Sequence, residues 1–468
     1  MRLPTIQRFI IVILLTWMVP AIACNFPSDQ QRQQEFSHDD RLQTLIPRLQ
    51  ASALVLEKTV VPPETATVIA ERTIQVTVFP PEQIQPTQAD LATGQHFLPD
   101  SEVIYSPSVA GFDLEAFVNE AGGYLSSYDE HIVRQWYSGV EIVERVALDN
   151  SVNPRLLIAL LEFRSNWVYQ EQPDPLTLDH PLRLYIPNQT GLYKELSTVA
   201  KLLNMGYYGW RSGDLKELIF TDNTRTTIDP DLNAGSVALL YLFSRLFNQQ
   251  EFDETLSGDD HFLHLYQRMY GDPWERATAV EPIIPVDLPQ PVLELPFLPG
   301  ESWSFTGGPH SSWGIGTPRG ALDFAPVTDE PACAVSRAWV TASAAGVVTR
   351  SERSILALDL DGDGFEGTGW VLVYMHIADK DRLPAGSWVE VDDPLGHPSC
   401  EGGLATGTHV HIARKYNGEW LPAGGDYPFV LSGWRVVEGP KAYEGLLVKG
   451  DLVVTASPWG SRISIITR

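Results

Sequence analysis

The stretch Thr408-His409-Val410-His411-Ile412 decides how the C-terminal third of the chain is interpreted. On a β-strand, residues i and i+2 point to the same face, so both imidazoles would project into one cleft. A His-x-His pair on a strand is a common way to offer zinc one or two nitrogen ligands. The stretch therefore predicts a strand that carries part of a metal site. A pair of ordinary surface or core histidines is the alternative.

The surrounding sequence predicts a mostly antiparallel β domain over residues 300–445, with a further β extension over 446–468. Short apolar runs here are separated by Gly, Asp and Pro, which is typical of strands joined by tight turns. The runs cover residues 339–342, 354–360, 370–376 and 387–391.

Three more residues on this domain belong with the His-x-His pair: His310, Asp323 and His376. In this order the residues resemble the lysostaphin/LytM-type zinc metallopeptidases, which cut peptidoglycan peptides. In most of that family the first ligand histidine lies four residues before the aspartate, where this chain has Arg319. In the beta-lytic branch a Gly-Pro-His turn supplies it 13 residues upstream, and 323 − 310 is 13. The beta-lytic branch is therefore the closer match, and it implies a duplicated-hybrid-motif-like fold.

The resemblance also implies a role for each residue. His310, Asp323 and His411 correspond to the three protein ligands of one Zn²⁺ per chain, and His376 and His409 correspond to two catalytic histidines that are not ligands. Three ligands leave the fourth tetrahedral position for water, as catalytic zinc requires. A degenerate relative that has lost its metal is the alternative.

A second group of carboxylates, Asp359, Asp361 and Asp363, resembles the start of a calcium-binding loop. However, Trp370 stands at position twelve, where such a loop has a bidentate Glu. We favour the tip of a hairpin that joins 354–358 to 370–376, because Asp-Gly suits tight turns.

The N-terminus predicts export. Residues 9–19 are almost wholly apolar but far shorter than the roughly 20 residues that span a bilayer. Small residues before Cys24 resemble a bacterial lipoprotein signal, which predicts a signal peptide over 1–23 and a lipid on Cys24 that anchors the protein to the cell envelope membrane. Ordinary secretion and an uncleaved anchor are the alternatives. Residues 24–107, rich in Gln, Thr and Pro, predict a flexible tether.

The two remaining cysteines suggest a disulfide, and the net charge restricts the class of binding partner. An exported Cys333 and Cys400 can form a disulfide near the cleft, with two free thiols as the alternative. The chain has 33 Lys and Arg against 59 Asp and Glu, a net charge of −26. Bulk charge therefore opposes nucleic acid as a partner.

The middle of the chain predicts a helical domain over 108–276, followed by a Pro-rich linker over 277–299. The helix that begins at Asn153-Pro154 distantly resembles the lysozyme-like lytic transglycosylases. Their catalytic Glu would fall where this chain has Arg164, and Glu162 lies about 200° away around the helix. The domain is therefore predicted to lack glycosidase activity and to bind glycan at most. An unrelated helical spacer is the alternative.

Taken together, the sequence predicts a multidomain zinc endopeptidase that acts on peptidoglycan and is tethered to the envelope. The alternative from another class is a catalytically silent scaffold that binds the cell wall and activates another hydrolase.

Overall fold

The computed structural model describes residues 96–257, 261–425 and 427–468. The predicted signal peptide, the predicted lipidation site Cys24 and most of the predicted tether lie outside these residues. Among the described helices, none combines the length and the apolar character that a membrane crossing needs.

The N-terminal part of the described chain is helical, with two small hairpins. Its helices are α1 Leu114–Ala121, α2 Gly139–Asn150, α3 Pro154–Ser165, α4 Leu192–Arg211, α5 Ala234–Leu246, α6 Gln249–Ser257, α7 Phe262–Tyr270 and α8 Pro273–Ala277. Its hairpins pair β1 Asp129–Ile132 with β2 Gln135–Ser138, and β3 Glu217–Ile219 with β4 Arg225–Thr227.

Local sequence signals explain where the helices begin. Ser138 and Glu141 form a reciprocal capping box at the start of α2, which satisfies two backbone donors. The Asn153 side chain accepts the N–H of Arg155, and Pro154 occupies the first position of α3.

The helical part begins earlier than the sequence predicted. Leu98, Val103 and Ile104 are fully buried, and the buried Glu102 carboxylate pairs with the Arg276 guanidinium at 2.9 Å. The predicted tether is therefore wrong over residues 96–107, which pack into the helical core. The sequence concealed this because the apolar residues are too few and too unevenly spaced to show a period.

The C-terminal part consists of β-strands. They are β5 Ser302–Ser311, β6 Arg319–Pro326, β7 Val340–Thr341, β8 Gly346–Glu352, β9 Ile355–Asp359, β10 Trp370–Met375, β11 Trp388–Val389, β12 Pro394–Gly396, β13 Val410–Tyr416, β14 Glu419–Trp420, β15 Val430–Leu431, β16 Trp434–Glu438, β17 Gly445–Lys449, β18 Leu452–Thr455 and β19 Ile465–Thr467.

The main sheet is antiparallel, with the order β11-β8-β9-β10-β13-β6-β5-β19, and β14 pairs with β13. A second sheet has the order β15-β16-β17-β18. The predicted succession of a helical part and a mainly antiparallel β part is confirmed. The predicted hairpin around the acidic run is also present, because β9 pairs with β10.

The Pro-rich segment differs from a simple spacer. It contains no helix or strand over 278–299, yet Leu293, Leu295 and Phe297 are buried in the core of the β part. The Phe297 ring stacks on Trp303, with ring centroids 5.0 Å apart. Proline prevents regular structure here but does not prevent burial, so the segment ties the two parts together.

Buried ion pairs also join the helical part to the β part. Asp149 of α2 accepts bonds from Arg350 and Arg353, and the nearest contacts are 2.6 and 2.8 Å. Glu366 in turn binds Arg350 at 2.8 Å and Lys415 at 3.1 Å. These charges are buried but matched, so they fix the relative position of α2 and the β9–β10 hairpin.

Candidate metal centre

Strand register brings the predicted ligands together. Strands β6 and β13 are neighbours, with Asp323 directly opposite His411. On the other side of β13, Met375 lies opposite His411, so His376 follows immediately at the end of β10. His409 lies just before β13, two positions from His411, and its imidazole also approaches Asp323. The His-x-His spacing therefore places both rings over one face, as the strand period requires.

His310 reaches the site through an irregular strand. The sequence suggested a turn at Gly307-Gly308-Pro309-His310, but this segment lies inside β5, where the register against β6 shifts repeatedly around Gly307 and His310. A β-carbon on Gly307 would come within 2.4 Å of the Asp323 carboxylate. Glycine is therefore required for the strand to pass so close to Asp323. The bulges swing His310 towards His411.

Three donor atoms converge at the centre of the site. His310 Nε2 lies 3.3 Å and His411 Nδ1 3.4 Å from Asp323 Oδ1, and the two nitrogens are 3.0 Å apart. Ligands at about 2.0–2.1 Å in a tetrahedral arrangement are roughly 3.3 Å from one another. The spacing therefore fits a single zinc-sized ion.

The hydrogen bonds of the two imidazoles show which atoms are free. His310 Nδ1 lies 2.8 Å from the Gly308 carbonyl, and His411 Nε2 lies 2.9 Å from the Ser312 carbonyl. Carbonyl oxygens only accept, so these nitrogens carry protons, and in the neutral imidazoles that bind a metal the opposite nitrogens are bare. Within the described part of the chain, Asp323 Oδ1 is buried without a hydrogen-bond donor. Three buried lone-pair atoms that face one another can together hold a metal cation.

The pKa values of Asp323 and His310 also indicate a site that suits a cation. Burial opposes a negative charge on Asp323, but His310 and His409 beside it hold the pKa of its carboxyl well below its usual range. Burial also opposes a positive charge on His310, but Asp323 outweighs it and raises the pKa of that imidazole. The pocket therefore stabilises an ionised carboxylate next to positive charge.

The other two histidines are arranged differently. His376 Nδ1 lies 2.8 Å from the Glu401 carbonyl, and His409 Nδ1 lies 2.8 Å from the Gly407 carbonyl. By the same reasoning their Nε2 atoms are bare. Their ring centroids are 4.5 Å apart, and His409 Nε2 is 3.8 Å from Asp323 Oδ1. Burial and the neighbouring His409 and His411 lower the pKa of His376 to about 3, which keeps it neutral.

Tyr443 is a residue of the site that the sequence did not indicate. Its ring stacks on His310, with centroids 4.2 Å apart and planes 18° from parallel. Its backbone bonds to Gly308 and Pro309 hold it against the bulged part of β5. A single tyrosine 133 residues beyond His310 belongs to no local motif, so only the fold reveals it.

The predicted cysteine pair is joined in the structure: Cys333 and Cys400 form a disulfide. Cys400 directly precedes Glu401, whose carbonyl orients His376. The Thr408 hydroxyl also bonds the Ala334 carbonyl at 2.6 Å, next to Cys333. The disulfide and this bond fasten the loop that leads into the His-x-His strand.

Comparison with known proteins finds several relatives of this chain. A family model described as the LasA N-terminal domain matches residues 96–284. Protease LasA of Pseudomonas aeruginosa is 26% identical over 346 residues, which cover 70% of this chain and 75% of that protein. The beta-lytic metalloendopeptidase of Achromobacter lyticus is 29% identical over 164 residues, 33% of this chain and 41% of that protein.

Among solved structures, the M23 metalloprotease pseudoalterin from the deep sea is 23% identical, with a TM-score of 0.32, over 38% of this chain and 100% of its own. The helical part is thus similar to the LasA N-terminal domain, and its distant resemblance to lytic transglycosylases stays a prediction. Homology to protease LasA and to a beta-lytic metalloendopeptidase supports a metalloendopeptidase similar to the LytM-type enzymes.

Proposed function

We propose that the protein is an exported, zinc-dependent endopeptidase that hydrolyses peptide bonds of peptidoglycan, with one zinc ion per chain. The observation that carries the proposal is the convergence of three bare donor atoms from His310, Asp323 and His411, within 3.0 to 3.4 Å of one another. Two imidazoles and one carboxylate are ligands that zinc accepts in catalytic sites.

A zinc ion held there supplies Lewis-acid activation of a water molecule and of the scissile carbonyl. The chain's own residues supply the proton transfers. His376 and His409 present bare Nε2 atoms beside Asp323, because the Glu401 and Gly407 carbonyls fix their Nδ1 protons. One such Nε2 atom accepts the proton of the attacking water and then donates it to the leaving amine. The other, once protonated, stabilises the charge that develops on the carbonyl oxygen.

Peptidoglycan as the substrate is supported by the resemblance to the LytM-type and beta-lytic enzymes. The N-terminal apolar run and Cys24 support export and a lipid anchor in the envelope, which would place the enzyme beside this polymer. The disulfide between Cys333 and Cys400 is consistent with an oxidising compartment.

We propose that the helical part has no glycosidase activity of its own. Arg164 donates to the Leu182 carbonyl at 3.0 Å. The Glu162 carboxylate accepts the N–H groups of Val168 and Tyr169 at 2.9 and 3.2 Å. Both side chains thus hold the segment after α3, whereas glycoside hydrolysis requires a carboxylic acid that faces the substrate.

The test uses the full chain and purified peptidoglycan. We expect new amino groups to be released without new reducing sugars, chelation to stop the reaction and zinc to restore it. A chain that binds peptidoglycan and carries zinc but releases no amino groups would instead support the scaffold alternative. Release of sugar fragments that Glu162→Gln abolishes would show that the helical part is a second enzyme.

A further inference from the structure

An open cleft leads away from the metal centre. Its volume is about 570 Å³, and its lining runs from Asp323, His409 and Tyr443 to Trp459 on the C-terminal extension. The cleft is therefore continuous with the predicted catalytic groups, so a group at its far end would lie within reach of a substrate bound at Asp323 and His409.

Trp459 is the unusual residue of this cleft. Its side chain is 86% exposed, although it is the largest apolar side chain in the lining. The turn that carries it is tied down, since Ser457 N–H donates to the Phe305 carbonyl at 3.0 Å and Gly460 N–H to the Ser457 carbonyl at 2.9 Å. Gly460 adopts a φ of +67°, which the turn needs and glycine allows. An indole carried on a fixed turn and left in solvent beside the candidate site is available for a ligand.

The walls between Trp459 and the metal centre indicate what kind of ligand fits. Hydroxyl groups recur along them: Ser304, Thr306, Thr328, Thr406, Thr408 and Ser461. One of these hydroxyls, Thr306 Oγ1, is buried and has no hydrogen-bond partner among the described residues.

Charge is scarce in the same lining. Among the residues that the structure describes, this lining contains no Lys or Arg, and its only carboxylate is that of Asp323. A free carboxylate or ammonium group would therefore find no counter-ion at the Trp459 end. A neutral ligand fits better, provided that it has one apolar face for the indole and polar groups for the hydroxyls.

We propose that Trp459 is a stacking platform for an N-acetylated sugar of the glycan strand, next to the peptide that is cut. A pyranose ring has a C–H face that suits an indole and hydroxyl and amide groups that suit a Thr- and Ser-lined wall. The inference rests on the proposed function and deepens it: the enzyme recognises the sugar as well as the peptide of its substrate. Trp459 is thus a residue for substrate specificity and takes no part in the proton transfers.

The test compares the full-length enzyme on a soluble disaccharide-peptide fragment of peptidoglycan and on the same peptide with the sugar removed. Trp459→Ala should lower the ratio of the two kcat/KM values about tenfold, mainly through KM for the sugar-bearing substrate. Trp459→Phe should retain most of the ratio, because it keeps an aromatic face. Trp388→Ala is the matched control: Trp388 is also an exposed tryptophan but lies on β11, at the opposite edge of the main sheet, and should leave the ratio unchanged.

Equal losses on both substrates would overturn the proposal, since Trp459 would then contact the peptide, and an unchanged ratio would overturn it too. Titration of the full chain with an N-acetylglucosamine disaccharide, followed by NMR, separates this inference from the proposed function. If neither substrate is cut, the proposed function fails, and the sugar site stands only if the disaccharide binds the wild type and not Trp459→Ala.

Discussion

Within the part of the chain that the structure describes, two clusters each place three potential metal ligands within 4.8 Å of one another: His310 with Asp323 and His411, and the acidic run Asp359, Asp361 and Asp363. They differ in what their donor atoms already do. In the first cluster, backbone carbonyls occupy the outer nitrogens and leave the inner atoms bare.

In the acidic run the carboxylates serve the loop itself. Asp359 accepts the N–H groups of Asp361 and Gly364 at 3.2 and 2.8 Å, and Asp363 accepts that of Phe365 at 2.8 Å. Burial, together with Asp361, raises the pKa of Asp359, because a proton there relieves the repulsion between the neighbouring carboxylates. Proximity is common to both clusters. The histidine cluster differs because its buried lone-pair atoms are not used by the surrounding backbone, and because the pKa of Asp323 is held well below its usual range.

The largest expected effect comes from the ligands. His310→Ala, Asp323→Ala and His411→Ala should each abolish zinc binding and lower kcat/KM by roughly 10³-fold or more, since Lewis-acid activation contributes several kcal/mol to the barrier. Metal analysis and a peptide-bond hydrolysis assay measure the two losses together. Full zinc occupancy in His310→Ala would mean that the first ligand lies elsewhere.

The neighbouring histidines should behave differently, because their bare atoms face the substrate. His376→Ala and His409→Ala should keep zinc but lose about 10²-fold in turnover, the usual contribution of an acid–base group. A metal-free variant of either kind would make that histidine a ligand and break the division of roles.

The buried ion pairs between α2 and the β part form a third kind of cluster, in which charges satisfy one another. Burial would raise the pKa of Glu366, but Arg350 and Lys415 lower it to about 2. Because the folded-state pKa lies below the unfolded value of about 4.3, this stabilisation is present at neutral pH. It is lost as the pH falls from about 4.5 towards 2.

Glu366→Gln should therefore lower the free energy of unfolding by about 3–5 kcal/mol at pH 7 and flatten its dependence on acid pH. Denaturant unfolding at pH 7 and pH 3 measures both effects. The exposed pair of Arg225 and Glu217 provides the control, and Glu217→Gln should cost less than about 1 kcal/mol. Equal costs for the two variants would contradict a stabilising role of the buried network of Glu366, Arg350 and Lys415.

The smallest effect is expected at the acidic run. Asp361→Asn keeps an acceptor for the Asp363 N–H and removes a like charge, so turnover should change less than about twofold. Millimolar calcium should leave the thermal midpoint of both proteins unchanged. A calcium-dependent rise in the wild type that the variant lacks would make the run a second metal site.

The sequence predicted most of the candidate metal centre because its parts obey local rules. A period of two places His409 and His411 on one face, and the beta-lytic spacing identifies His310 in place of Arg319. The neighbouring β-strands and the hairpin around the acidic run were also indicated by composition.

What the sequence could not show depends on contacts between distant segments. Tyr443 and Trp459 are single aromatic residues whose roles depend on where the fold places them beside β5. Residues 96–107 and the Pro-rich segment have no period, yet Leu98 and Phe297 are buried. Sparse apolar residues in such segments acquire a role only once the cores they enter have formed.

The most direct test of the central claim is the metal content of the purified full-length chain, measured beside its hydrolysis of peptidoglycan. We predict about one zinc per chain. Chelation should remove the zinc and the activity together, and stoichiometric zinc should restore the activity. A chain that cuts peptidoglycan without zinc, or that binds no zinc when zinc is supplied, would contradict it.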